Sequence, residues 1–105
     1  MTDKLLVLTT TESETEAQKI AHTLVDRRLA ACVNIVPKIQ SVYRWKEKVE
    51  TAEEFLLVIK TVRGREDQIG STIRELHSYE LPECIVLTVD GGSEEYLQWL
   101  EESVA

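Results

Sequence analysis

The sequence predicts an α+β chain of the split β-α-β kind. Three observations carry that prediction. Six segments read in the order β-α-β-β-α-β, two of the strands sit back to back around a polar turn, and 105 residues make one domain's worth of chain. Residues 1–105 are therefore read as a single domain, with a short further helix after the last strand.

The first strand is "KLLVLTT", Lys4 to Thr10, a compact apolar run. Ser13 then opens a helix. Glu16 lies three residues on, the spacing of a capping box, in which the hydroxyl takes a backbone N–H and the glutamate reaches back. Ala17, Ile20, Ala21, Leu24, Val25 and Leu29 follow at helical spacing and predict one buried stripe. Arg27 and Arg28 fall in the expected last turn, where cations suit the negative helix end.

"AACVNIV" predicts the second strand, and Pro37 implies an edge or a bend. The chain resumes with Ile39, Ser41, Tyr43 and Trp45 on one face and Gln40, Val42 and Arg44 on the other. "KEK" reads as a polar turn, and "VETAEEFLLVIKT" returns as another long strand. Ala31 to Trp45 fully extended would span about 50 Å at ~3.3 Å per residue. A compact chain of this size has a radius of gyration of only about 13 Å. The hairpin must therefore bend or project, and a projecting ribbon with Tyr43, Trp45 and Val49 exposes apolar surface and open edges. Another subunit is the simplest cover, so the sequence predicts an oligomer.

A second helix is predicted from Arg65 to His77, with Ile69, Ile73 and Leu76 buried and Gly70 weakening it. "ECIVLTVD" is apolar throughout and reads as a central strand. Ser93 is positioned to cap the last helix, whose Tyr96, Trp99 and Leu100 share a face. The whole is a ferredoxin-like arrangement: helices cover one face of an antiparallel sheet, and the other face asks for self-association.

Between the second helix and the last strand lies "HSYELPE", which packs an imidazole, a phenol and two carboxylates into seven residues. His77, Glu80, Glu83 and Cys32 are the candidate metal ligands. Thiolate and imidazole select copper or zinc, and carboxylates discriminate less. Against this, His77 also suits a helix C-terminus, and Cys32 and Cys84, each in an apolar run, read as small buried core residues. His22 reads as a surface residue. Lys60 could hold an anion or simply solvate a strand end. No nucleophile–base motif or P-loop appears, so an enzyme is not expected. The net charge of −7 repels nucleic acid and favours cationic partners. No apolar run approaches the ~20 residues that span a bilayer, and no signal peptide is apparent, so membrane association is not expected and the cytoplasm is the expected compartment.

"RLAACVNIVP", "SVYRW", "EEFLLVIKT" and "HSYELPE", in this order, resemble the CutA family of divalent-cation-tolerance proteins. The resemblance covers the chain from Leu5 to about Trp99. It implies a ferredoxin-like subunit in a tight homotrimer like the PII signalling proteins, with long strands crossing between subunits. Its motif positions fall on Cys32, Asn34, Ser41, Tyr43, Trp45, Glu54, Lys60 and Thr61, and then on His77, Tyr79, Glu80, Pro82 and Glu83. These are expected to gather in clefts between subunits. The implied function is binding of copper or another divalent cation in metal-ion tolerance. The alternative is a PII-like signalling module whose clefts take a small anionic ligand or a partner protein, in which Lys60 and Arg44 would matter more. Two positions depart from the family pattern: Ser78 stands where proline usually follows the histidine, and Glu47 stands where the turn usually has glycine.

Overall fold

The computed structural model describes residues 2–105. Its elements are β1 (Lys4–Thr11), α1 (Glu14–Asp26), β2 (Cys32–Trp45), β3 (Lys48–Val62), α2 (Glu66–Leu76), β4 (Ile85–Thr88) and α3 (Glu94–Ser103). The sheet is antiparallel, in the order β2-β3-β1-β4. This is the predicted ferredoxin-like arrangement.

Alternation along β1 and β3 sorts the side chains. Val7, Leu57 and Ile59 point to the helices and join Ala17, Ile20 and Leu24 of α1 and Ile69 and Ile73 of α2 in one buried core. The intervening Leu6, Leu8, Leu56 and Val58 are only half-buried, on the sheet face away from the two helices. α3 covers one end of that face. Lys60, which alternates with the helix-facing Ile59 and Thr61, meets Tyr96 there, and Lys4 pairs with Glu101 at 3.0 Å.

The hairpin projects. β1 accompanies β3 only from Phe55 to Val62, so Lys48 to Glu54 pair with β2 alone. The molecule is accordingly elongated, 44 × 25 × 23 Å. Val42 and Val49 on the bare ribbon are 70% and 64% exposed, beside exposed Tyr43 and Trp45. Pro37 marks the bend. The β2–β3 register shifts between Val36 and Ile39, where Lys38 takes φ 58°, and β2 is an edge strand. An edge or bulge is where a residue without an N–H fits. The ribbon turns over two residues, Lys46 (φ 49°) and Glu47 (φ 68°). Both are left-handed, so Glu47 stands where a glycine would be relaxed.

Several expectations need correction. β4 is not central: it is a four-residue edge strand pairing only with β1, and Ile85, Val86 and Leu87 are 43–47% exposed. Its apolar run reflects an uncovered surface rather than burial on both faces. Cys84 precedes β4 and is exposed, and Cys32 is only half-buried, so neither is a core residue. Val25 lies off the buried stripe and is 43% exposed. α1 stops at Asp26, and Arg28 enters the left-handed region (φ 59°), turning the chain so that Leu29 reaches the core from outside the helix. The capping box is half made. Ser13 Oγ accepts from the Glu16 N–H at 3.1 Å, but the Glu16 carboxylate turns elsewhere. Ser93 precedes α3 without a side-chain capping bond.

Candidate functional site

The Glu16 carboxylate takes the Thr11 hydroxyl at 2.6 Å and the Ser78 N–H at 3.0 Å. It thereby ties the start of α1 to the exit of α2. His77 is the C-cap of α2, in an extended conformation (ψ 140°), and its side chain is fully buried. Its Nε2–H donates to the Thr10 carbonyl at 2.6 Å, and its Nδ1 accepts from the Tyr79 N–H at 3.1 Å. Both ring nitrogens are therefore engaged, and Glu16 Oε2 also lies 3.3 Å from Nδ1. The Tyr79 ring packs on the imidazole, with centroids 4.5 Å apart.

His77 thus aims Tyr79. The Tyr79 hydroxyl donates to Glu54 Oε2 at 2.6 Å, and Glu54, on β3, is only 6% exposed. Burial, then the Glu54 and Glu12 carboxylates, push the Tyr79 phenol far above its ordinary range. Two carboxylates therefore bear on a phenol that has one proton to give. Burial and the nearby Glu54 charge also raise the Glu83 carboxyl. These groups line a cavity of about 750 Å³ that runs along the ribbon, from Glu54 at its foot to Trp45 beside its turn. Its carboxylates are Glu12, Glu54, Glu80 and Glu83, and its rings are Tyr43, Trp45 and Tyr79. Among the described residues, no lysine, arginine or histidine lines it.

Of the motif residues, the cavity gathers Ser41, Tyr43, Trp45, Glu54, Tyr79, Glu80 and Glu83. The others lie elsewhere. Cys32 pairs in register with Lys60, four residues along β3 from the Leu56 that faces Thr10, or about 13 Å at ~3.3 Å per residue. The thiol and the imidazole that Thr10 holds are thus not brought together. Lys60 reaches Tyr96 at 3.4 Å. Thr61 is buried, its hydroxyl donating to the Leu29 carbonyl at 2.6 Å. Asn34 is exposed on the edge strand, and Pro82 is half-buried outside the cavity wall. Among the described residues, no group of three or more His, Cys, Asp or Glu is placed to hold a metal ion within one chain.

Sequence reading missed Glu12. The signal was there only in combination. Thr11 pairs with Phe55, so the next residue of the chain comes level with Glu54. That becomes visible once the β1–β3 register is known.

Comparison with known proteins places these features in a family. The model of the CutA1 divalent ion tolerance protein family matches residues 5–103. The divalent-cation tolerance protein CutA of Thermus thermophilus is 44% identical over 93% of this chain and 95% of its own length. The chloroplastic CutA of Arabidopsis thaliana is 41% identical over 94% of this chain, which spans only about half (54%) of that relative. Among solved structures, CutA of Xylella fastidiosa superposes with a TM-score of 0.95 at 38% identity, covering 98% of this chain and 99% of that one. The Archaeoglobus fulgidus structure, described as a periplasmic divalent cation tolerance protein, gives 0.93 at 34% identity, over 97% and 99%. The motif residues at the ribbon foot, the fold and this agreement over nearly the whole chain have one explanation: the chain belongs to the CutA1 divalent ion tolerance protein family.

Proposed function

We propose that this chain is a single-domain, cytoplasmic protein of metal-ion tolerance that assembles as a homotrimer and binds divalent cations, copper foremost, in clefts at the foot of the ribbon. The sign of the cleft's charge is the observation that carries this reading. Four glutamates line the cleft, and no lysine or arginine does, among the described residues. Such a wall attracts cations and repels anions. The PII-like alternative with an anionic ligand is correspondingly disfavoured, because Lys60 and Arg44 lie outside the cleft.

Glu80 and Glu83 are the ligands that a cleft cation would meet. One chain does not complete a coordination shell, so the remaining donors, Cys32 among them, would have to come from a neighbouring subunit. His77, with both nitrogens engaged, acts by positioning Tyr79. The exposed ribbon and the half-buried sheet face supply the surface for assembly. Among the described residues, no helix is long and apolar enough to cross a membrane, and the family is named for ion tolerance rather than for a reaction.

Equilibrium dialysis of metal-free protein against copper, with magnesium as control, tests the reading. A fixed whole number of copper ions per chain is expected, falling at least tenfold in affinity in a Glu80→Gln/Glu83→Gln double variant. Non-stoichiometric uptake, unchanged in that variant, would overturn it.

A further inference from the structure

Two patches at opposite ends of the chain complement each other. The outermost ribbon residues, from Arg44 to Val49, carry the cations Arg44, Lys46 and Lys48 against the single carboxylate of Glu47. Trp45 and Lys48 are cross-strand partners and so share a face of the ribbon. Lys46 lies over the same ring, 5.7 Å from its centroid. The tip thus presents an exposed indole flanked by two ammonium groups.

The last helix presents the reverse. Leu100 and Val104 form its buried side, and α3 carries four glutamates and no cation. Glu95, Trp99 and Glu102 recur at helical spacing on the outer side. Trp99 is 46% exposed, and its ring meets that of exposed Tyr96 with centroids 5.4 Å apart. Tyr96 already takes one ammonium, that of Lys60, 5.6 Å from its centroid. Glu101 pairs with Lys4, but among the described residues Glu94, Glu95, Glu102, Arg44, Lys46 and Lys48 form no ion pair.

One chain cannot bring its own two patches together. Lys48 at the tip and Lys60, which meets Tyr96, are separated along β3 by about 40 Å at ~3.3 Å per residue. That is nearly the whole 44 Å length of the molecule. Two different patches that pair between copies make a head-to-tail contact, and such contacts generate a ring when the rotation closes. A cyclic trimer has this symmetry. From this geometry we infer that the ribbon tip of one copy seats on α3 of the next, with Trp45 against Trp99 and Tyr96, and Lys46 and Lys48 on Glu95 and Glu102. The rings supply contact area, and the charges set register and direction. The inference rests on the reading of the chain as a homotrimer and names a contact that orders its subunits.

The test is subunit exchange between unlabelled and isotope-labelled protein, read by native mass spectrometry at physiological ionic strength. Lys46→Glu/Lys48→Glu should exchange at least tenfold faster than the native chain, or fall to monomer. Glu95→Lys/Glu102→Lys should do the same. A chain with all four substitutions should return to a trimer that exchanges within about threefold of the native rate. All four positions are exposed, so the variants keep the fold, which circular dichroism checks. Exchange unchanged in both pair variants would overturn the inference and leave the trimer standing. Faster exchange that the four substitutions together do not reverse would also overturn it, since the charges would then act without meeting each other. A native chain that is monomeric would overturn both the inference and the trimer reading.

Discussion

The two halves of the β2–β3 hairpin differ in what they lean on. The inner half, Phe55 to Val62 on β3, lies between β2 and β1 and is backed by α1 and α2, and Leu57 and Ile59 are fully buried there. The outer half, Ile39 to Glu54, has no third strand, and its valines and aromatics stand in solvent. Both halves carry apolar side chains, and their burial is opposite. Apolar periodicity reports that a surface will be covered, and topology decides whether the same chain covers it. The cleft lies at the boundary, where buried Glu54 meets the exposed aromatics.

Breaking the inner half costs the most. Leu57→Ala should lower the unfolding free energy by about 2–5 kcal/mol, the range for large-to-small changes in a closed core. Chemical denaturation measures it. The matching change outside, Val42→Lys with Val49→Lys, should leave the secondary structure of the chain intact and abolish subunit association, read by sedimentation velocity. A ribbon that already stands free would show no change in association.

At the boundary, Tyr79→Phe deletes the hydroxyl that satisfies Glu54 and leaves that carboxylate buried without its donor. A loss of about 1–3 kcal/mol is expected. At the tip, Glu47→Gly should gain about 1 kcal/mol by relieving a left-handed non-glycine residue. A loss there would mean that the Glu47 side chain makes a contact within the assembly.

The smallest effect is a pH dependence. The folded state holds the Glu83 carboxyl above its unfolded value. Protonated Glu83 therefore favours the folded state at pH below the ordinary carboxylate range, and this contribution disappears as pH rises through the raised folded value. Glu83→Gln should consequently be more favourable relative to the native chain at pH 7 than at pH 4. Denaturation curves at the two values test the sign.

Much of the fold was legible because local and global signals agreed. Ser13 and the Ala17–Ile20–Ala21–Leu24 stripe give α1, and Ile69 and Ile73 give α2. The excess length of β2 and β3 gave the projecting ribbon. β4 was misread because an apolar run looks the same whether its cover comes from two layers of one chain or from outside it. Of the site, Tyr79, Glu80 and Glu83 were legible as a dense polar stretch, and Glu54 entered through the family resemblance. The role of His77 was not, since a histidine that orients a tyrosine and one that binds a metal have the same sequence spacing. Glu12 was hidden because only strand register puts it beside Glu54.

Native mass spectrometry of the metal-free protein tests most directly the claim that the outer half is completed by other copies. The account predicts one species at three times the 12.0 kDa chain mass, falling to the monomer when Val42 and Val49 are replaced by lysine. A native chain that flies as a monomer at micromolar concentration would contradict it, and the ribbon would then be a free arm.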